Sequence, residues 1–368
     1  MPSCILTCYY RPKPGGFCKR LFRATEALLT RGHSVHYLAV VPFPIEHPNC
    51  HFHRFPWPAD KTSGYLFWAV FHLLSPLLLL YLSFRYRIER LFAFGYTYSL
   101  LLQPIRLIKN VPLVLFLRGD TLEKHRVTKK NDLLIKLEFF LEGAGIIGTE
   151  MFGVSESLTK KITERHNFFR ARKTGVIRND IPVHVEKKSE KCTYNLLRAS
   201  CVGVLEVGKN QLFLLKIFEH IQAEQMQLFL YGTGLDEVLL QDFVKKGNLA
   251  NKIIFKGWVQ AEQIWPETDL LLMPSLHEGA PNAVLEALAS GTPVLASDIP
   301  EHREILPPIC LLPLTDEKTW INKIHEIAED PEEELHQLIA AQELTSEHLR
   351  FDWDEKIVRC ILGTVPTY

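Results

Sequence analysis

Ser3-Cys4-Ile5-Leu6-Thr7-Cys8-Tyr9-Tyr10 is a short apolar run, and the residues that follow it decide the fold. Arg11-Pro-Lys-Pro-Gly-Gly16 is a loop by its proline and glycine content. From Lys19 to Thr30, Leu21, Phe22, Ala24, Leu28 and Leu29 recur at helical spacing, and Gly32 sits where a helix ends. Ser34-Val-His-Tyr-Leu-Ala-Val-Val41 is a second apolar run. Strand, loop, helix and strand in that order begin a parallel, doubly wound sheet.

The alternation continues outward. Strands are expected at 90–94, 112–117 and 146–154, with helices at 99–108 and 156–165, the latter capped by Ser155. Around Val176 to Pro182 the pattern breaks, and polar residues run on to Lys191, which reads as an interdomain linker. It then restarts, with strands at 196–204, 227–231, 252–255, 270–273 and 293–296 and helices at 211–221, 237–246 and from about Pro281. A length of 368 residues agrees with two domains. The expected fold class is therefore α/β, two doubly wound Rossmann-like domains whose facing edges form a cleft, the place where such folds bind ligands.

Composition is that of a packed globular chain, 47% hydrophobic and 23% charged, which excludes wholesale disorder. A net charge of zero hides an asymmetry: residues 1–178 carry 26 Lys and Arg against 12 Asp and Glu, and the remainder carries 16 against 30. A basic half fits an anionic partner, phosphorylated lipid or an anionic membrane surface; no recognition motif supports nucleic acid. The 8 cysteines are scattered without CxxC spacing and without a preceding secretory signal, so a reducing cytosol is the expected setting. Cys4 and Cys8 read as buried strand residues.

From Thr62 to Phe84 there is no charged residue. The run is long enough to span a membrane, but it lies between strands of one expected sheet, contains Pro76 and His72, and so reads as a pair of buried helices or as an interfacial helix with Arg85, Arg87 and Arg90 at lipid headgroups.

The stretch Asp269 to Ala296 carries the chemistry. A buried strand ends at Pro274-Ser275, a tight loop holds His277, Glu278, Gly279 and Ala280, and Pro281 is placed for the first helical position, followed by Asn282. The backbone amides of Gly279 to Ala283 are expected to point outward unpaired, a phosphate site strengthened by the helix dipole. Glu278 and Glu286 flank that site; as acids they suit hydroxyl groups of a sugar and a ribose. His277 either donates to the sugar or packs.

Glu278 and Glu286, set in Glu-Gly-Ala-Pro-Asn-Ala-Val-Leu-Glu-Ala and followed by Ala289-Ser-Gly-Thr-Pro-Val-Leu-Ala-Ser297, resemble the paired-glutamate motif of the retaining group-one glycosyltransferases, family four, of GT-B fold. The resemblance implies that Glu278 contacts the donor sugar and Glu286 the nucleotide ribose. Gly15-Gly16 resembles the family's first-loop glycines, Gly203 to Asn210 its phosphate clamp with Lys209 as the lysine, Tyr231-Gly232-Thr-Gly234 its glycine turn, and Phe255 to Val259 its base-contacting segment. The tail Phe351-Asp-Trp-Asp354 and its helix resemble the family's closing helix. Two positions depart. The arginine usual after the clamp glycine is Val204, for which Arg198 or Arg11 would have to substitute, and the strand 112–117 ends in Arg118-Gly-Asp120 where a histidine is usual. Arg118 and Asp120 are candidates for contact with acceptor or phosphate; the alternative is a salt bridge between them.

The resulting expectation is a retaining hexosyltransferase. An N-terminal acceptor domain would span 1–182, a C-terminal nucleotide-sugar domain 183–345, and a helix crossing back to the first domain 346–368. Lys209 and the helix start after Glu278 would hold the diphosphate, with Gly16, Gly232, His277, Gly279, Ala280, Pro281, Asn282 and Glu286 around the donor. The donor would be a UDP-sugar or GDP-sugar, the acceptor a glycan or lipid-linked glycan of cell-surface polysaccharide or glycolipid synthesis, and the location cytoplasmic, peripheral on the inner face of a membrane. No cofactor or metal is expected, since Asp352-Trp-Asp354 reads as a helix start. The rival is a GT-B relative without turnover that serves as a membrane-associated scaffold; an epimerase or phosphorylase on the same fold is a second.

Overall fold

The computed structural model describes residues 2–13, 15–127, 131–182, 196–222 and 225–364. The chain divides into two compact units, one of Met1–Arg126, Lys130–Arg178 and Asp352–Tyr368, the other of Val127–Lys129 and Asn179–Phe351. The linker expected to run on to Lys191 falls mostly outside the described residues.

In the first unit the order is β1 (Cys4–Cys8), α1 (Gly16–Thr30), β2 (Ser34–Ala39), β3 (Cys50–Arg54), α2 (Tyr65–Arg85), β4 (Arg90–Phe94), α3 (Tyr96–Lys109), β5 (Leu113–Leu117), α4 (Thr121–Val127), α5 (Asp132–Ile146), β6 (Glu150–Gly153), α6 (Glu156–Arg165) and β7 (Lys173–Val176). Its seven strands lie in the order β3-β2-β1-β4-β5-β6-β7, all parallel. The second unit continues with β8 (Leu197–Val202), α7 (Gln211–Glu219), β9 (Met226–Tyr231), α8 (Glu237–Lys246), β10 (Ile253–Gly257), α9 (Ala261–Ile264), β11 (Leu270–Met273), α10 (Asn282–Ser290), β12 (Val294–Ser297), α11 (Pro300–Arg303), β13 (Leu311–Leu312), α12 (Glu317–Glu329) and α13 (Pro331–Ser346). Its six strands lie in the order β10-β9-β8-β11-β12-β13, again all parallel. The last helix, α14 (Trp353–Leu362), belongs to the first unit and packs on α1.

Strands buried on both faces explain the near-continuous apolar runs: every residue of β5 and of β11 is buried. Right-handed crossovers place α2, α3, α5 and α6 on one face of the first sheet and α1 on the other. The packing agrees, since α3 touches both α2 and α5, and α14 joins α1. Asp352 caps α14 by accepting from the Glu355 amide at 2.9 Å. Trp353 is fully buried, and the guanidinium carbons of Arg20 and Arg23 lie 4.9 and 5.0 Å from its ring centre. Ser155 caps α6, as its position predicts.

Three readings are corrected. The run 62–84 is one helix, α2, not a buried pair. It continues through Pro76, which removes a single backbone bond, and it buries only one stripe. Ile146 belongs to α5, and the strand expected from 146 starts at Glu150; the glycines of Leu-Glu-Gly-Ala-Gly-Ile conceal the helix. Pro281 precedes the first turn of α10 rather than opening it.

Candidate donor site

A doubly wound parallel sheet leaves a crevice where the strand order reverses, beyond the carboxyl ends of the strands. In the second unit the reversal lies between β8 and β11. The loops leaving those two strands carry the residues singled out in the sequence, and they are tied together. The Leu276 amide donates to the Gly208 carbonyl at 2.9 Å, and Asn210 Nδ2 donates to the Pro274 carbonyl at 3.2 Å. A Cβ at Gly208 would come within 2.9 Å of His277 Nε2, so the glycine lets the imidazole pack against the backbone.

Lys209 and Glu278 meet across this junction. Lys209 Nζ donates to Glu278 Oε1 at 2.5 Å, and Ser275 Oγ donates to the same oxygen at 2.7 Å. The carboxylate side chain is 6% exposed and the lysine 21%. Burial pushes the Glu278 carboxyl up, but the charge of Lys209 and the hydrogen bonds from Lys209 and Ser275 outweigh it, and the carboxyl is held below its ordinary value; burial pushes the neighbouring His302 imidazole down, so it is neutral at neutral pH. Glu278 is therefore an anion at neutral pH in a dry setting. Ser275 and His302 carry no signal of this role in the sequence beyond their chemistry. His302 is buried, and its Nδ1 lies 2.8 Å from the Ser297 carbonyl oxygen. Its Nε2, like His277 Nε2, has no hydrogen-bond partner among the described residues.

α10 starts beside Glu278. The amides expected to be free are not all so: Asn282 N donates to Ala280 O at 2.9 Å, because the chain turns tightly before the helix. Among the described residues no backbone carbonyl accepts from the Gly279 and Ala280 amides. The Asn282 side chain is itself engaged, accepting from Asn179 Nδ2 at 2.7 Å. Glu286 is half-buried on the same helix. Gly232, at φ +132°, allows the turn after β9 to close on the turn after β8; a Cβ there would fall on the Gly203 carbonyl oxygen. Val204 is 53% exposed, and its carbonyl accepts from Gln211 Nε2 at 3.0 Å. Arg198 does not replace the expected arginine. It sits at the opposite end of β8 from Gly203, some 16 Å along the strand, with its Nε 3.4 Å from the carboxylate of Asp269.

Gly16, Arg118 and Asp120 lie in the first unit. Gly16 opens α1 behind Gly15, whose φ of +123° needs a glycine. Arg118, half-buried after β5, is pushed down to about 9 by burial and then by Arg20, and stays charged at neutral pH. Asp120 is not its salt-bridge partner. Its carboxylate is held by Arg165 and by Lys161 at 3.2 Å, and it accepts from the Glu123 amide at 3.0 Å, capping α4. These contacts give Asp120 a structural role.

Among the described residues no group of three His, Cys, Asp or Glu side chains is placed to hold a metal ion. The seven described cysteines are free; Cys192 lies outside the described residues.

Residues 197–330 match the family described as Glycosyl transferases group 1. An uncharacterized glycosyltransferase of Methanocaldococcus jannaschii is 27% identical over 217 residues, 55% of this chain and 52% of that protein. The O-antigen biosynthesis glycosyltransferase WclY of Escherichia coli is 26% identical over 164 residues, 42% of this chain and 46% of that protein. The aligned part thus spans about half the length of these curated relatives. Among solved structures, sucrose-phosphate synthase of Thermosynechococcus elongatus superposes with a TM-score of 0.79 at 18% identity, covering 98% of each chain. Anabaena HepE, in complex with UDP and glucose, gives 0.74 at 17%, covering 98% of this chain and 99% of that one. Residues 197–330 thus match a group 1 glycosyltransferase domain, and the two doubly wound sheets of the chain are those of the GT-B fold.

Proposed function

We propose that this protein transfers a hexosyl group from a UDP-sugar or GDP-sugar to a glycan or lipid-linked acceptor, with retention at the anomeric carbon. The reading rests on one observation: Lys209 and Glu278, far apart in sequence, meet at the reversal point of the second sheet beside the start of α10. A diphosphate placed there would meet the lysine ammonium and the helix N terminus, which stabilise it as it leaves. The bond from the anomeric carbon to the diphosphate oxygen breaks with its electron pair going to that oxygen. The acceptor hydroxyl oxygen bonds to the carbon, and its proton departs with the diphosphate. Glu278, buried and ionised, orients the sugar and faces the positive charge that builds on it. Glu286 is assigned to the ribose, and retention is carried over from the family resemblance. The charge on the leaving group is met without a metal. HepE binding UDP and glucose, and WclY acting in O-antigen biosynthesis, favour a UDP-sugar and a cell-surface polysaccharide. We place the reaction in the cytoplasm, where the sequence expects the chain.

The test is Glu278→Gln, with calorimetric titration of UDP, GDP and ADP beside an assay of sugar transfer from the matching donor. Transfer is expected to vanish while affinity for one nucleotide stays within a few-fold. Wild-type turnover by the variant overturns the role of Glu278. Failure of the wild type to bind any of the three nucleotides favours the scaffold reading, with Val204 as its cause.

A further inference from the structure

α2 has the composition of a membrane span without the placement of one. Tyr65–Arg85 is long and apolar enough to cross a bilayer. It nevertheless links β3 to β4 of one parallel sheet and buries Phe67, Phe71, Leu79 and Leu82, so crossing would pull the sheet apart. The opposite stripe, at the same helical spacing, is Leu66, Ala69, Leu73, Leu77, Tyr81 and Phe84, and all six are exposed. Leu73 is 72% and Leu77 64% exposed. The outward stripe of a helix on a water-soluble domain is ordinarily polar; this one carries no charge along its length.

The neighbouring helices extend the face. α3 packs between α2 and α5, and the three form one layer over the sheet. α3 ends on exposed Leu107 and Ile108, and α5 begins with exposed Leu133, Leu134, Leu137 and Phe140. The end of α3 adjoins the end of α2, while the start of α5 lies at the opposite end of the same layer, and exposed apolar surface on this scale marks an interaction site.

The surrounding charge names the partner. From Lys61 to Lys109 the chain holds six Lys and Arg and a single acid, Glu89. Arg85 and Arg87 are exposed directly after the helix, and Lys109 Nζ lies 4.8 Å from the centre of the Phe84 ring. Exposed Tyr65 stands at one end of α2, Tyr81 and Tyr86 at the other. Leucines for acyl chains, tyrosines at the boundary and arginines for phosphates are the make-up of a helix lying in a bilayer interface. The rim is mainly basic, with Asp60 and Glu89 as its exposed acids, and its excess of positive charge favours an anionic counter-surface.

We propose that the outer face of α2, with the adjoining C-terminal turn of α3, docks on an anionic lipid bilayer and lies along it. The proposal does not depend on the glycosyltransferase reading. It is tested by sedimentation of the full chain with large vesicles of phosphatidylcholine alone or mixed with phosphatidylglycerol, at low and high salt. Wild type is expected to bind the mixed vesicles and to weaken in high salt. Leu73→Glu with Leu77→Glu should lower the apparent affinity about a hundredfold, each leucine accounting for roughly tenfold, while leaving melting temperature and nucleotide binding unchanged, since both side chains are already in water. Arg85→Gln with Arg87→Gln should bind more weakly and lose much of the salt dependence. Tryptophan at 81, in Tyr81→Trp, should be quenched by brominated lipid. Absence of wild-type binding to the mixed vesicles, or equal binding by the leucine variant, overturns the proposal. So does a wild-type dimer that the leucine variant dissolves without any vesicle binding, which would assign the face to a second copy of the chain.

Discussion

Lys209→Met isolates what the lysine does before any substrate arrives. In the free protein its ammonium and Ser275 hold Glu278 in a dry site. Removing one partner of a buried pair costs about 3–5 kcal/mol; because the lysine is 21% exposed, the expected loss is nearer 2–3 kcal/mol. For a unit of this size that lowers the melting temperature by about 5–10 °C. The pH dependence changes sign with the variant. In the wild type the Glu278 carboxyl is held below its ordinary value, so its contribution is complete above the ordinary carboxylate range and is lost as pH falls through the lowered value. Without Lys209 burial dominates, the carboxyl rises, and stability falls as pH climbs through and above the ordinary range. Differential scanning calorimetry at about pH 4 and pH 7 should therefore find a small deficit in acid and a large one at neutrality. Adding Glu278→Gln should recover most of the loss, because no buried charge remains. A variant melting within about 1 °C of wild type at neutral pH, or a deficit independent of pH, would refute the argument.

Two further substitutions test the frame around the sites. Gly232→Ala puts a side chain on the Gly203 carbonyl at a φ of +132°, and should destabilise the second unit by about 3 kcal/mol or more, read as a lower urea midpoint. In Asp120, burial raises the carboxyl but Arg165, the Glu123 amide and Lys161 outweigh it and bring it down to about 2. The pair therefore stabilises by about 2 kcal/mol above the ordinary Asp range, an amount lost as pH falls towards 2. Asp120→Asn should show that deficit at neutral pH, roughly half of it at pH 3 and little at about pH 2.

The residues make clear why some features were legible in the sequence and others were not. β5 and β11 are buried on both faces, so their apolar runs identify them without tertiary information. α5 was hidden because its first turns expose Leu133, Leu134 and Leu137, leaving no polar face from which a helical period could be read. β3 was missed for a similar reason: Cys-His-Phe-His-Arg at the sheet edge is half-buried and has little apolar contrast. In the site, Lys209 and Glu278 were legible as separate motif residues, but their contact depends on which strands adjoin. Ser275 and His302 show no periodicity or motif: Ser275 reaches the carboxylate from three residues before it in the same loop, and His302 comes from the segment after β12, the strand beside β11.

α14 has a bearing on how the protein is made. It completes the first unit with Trp353, yet the 173 residues of Asn179–Phe351 are translated between Arg178 and that helix. At about 5–20 residues per second the ribosome needs roughly 10–35 s to cover this interval. Throughout it, the part of α1 that Trp353 will cover faces the crowded cell uncovered. The domain begun first is finished last. A stop codon just before Asp352 would therefore damage the amino-terminal domain and leave the sequence of the later one intact, and a chaperone that shields nascent chains would find its natural client on α1.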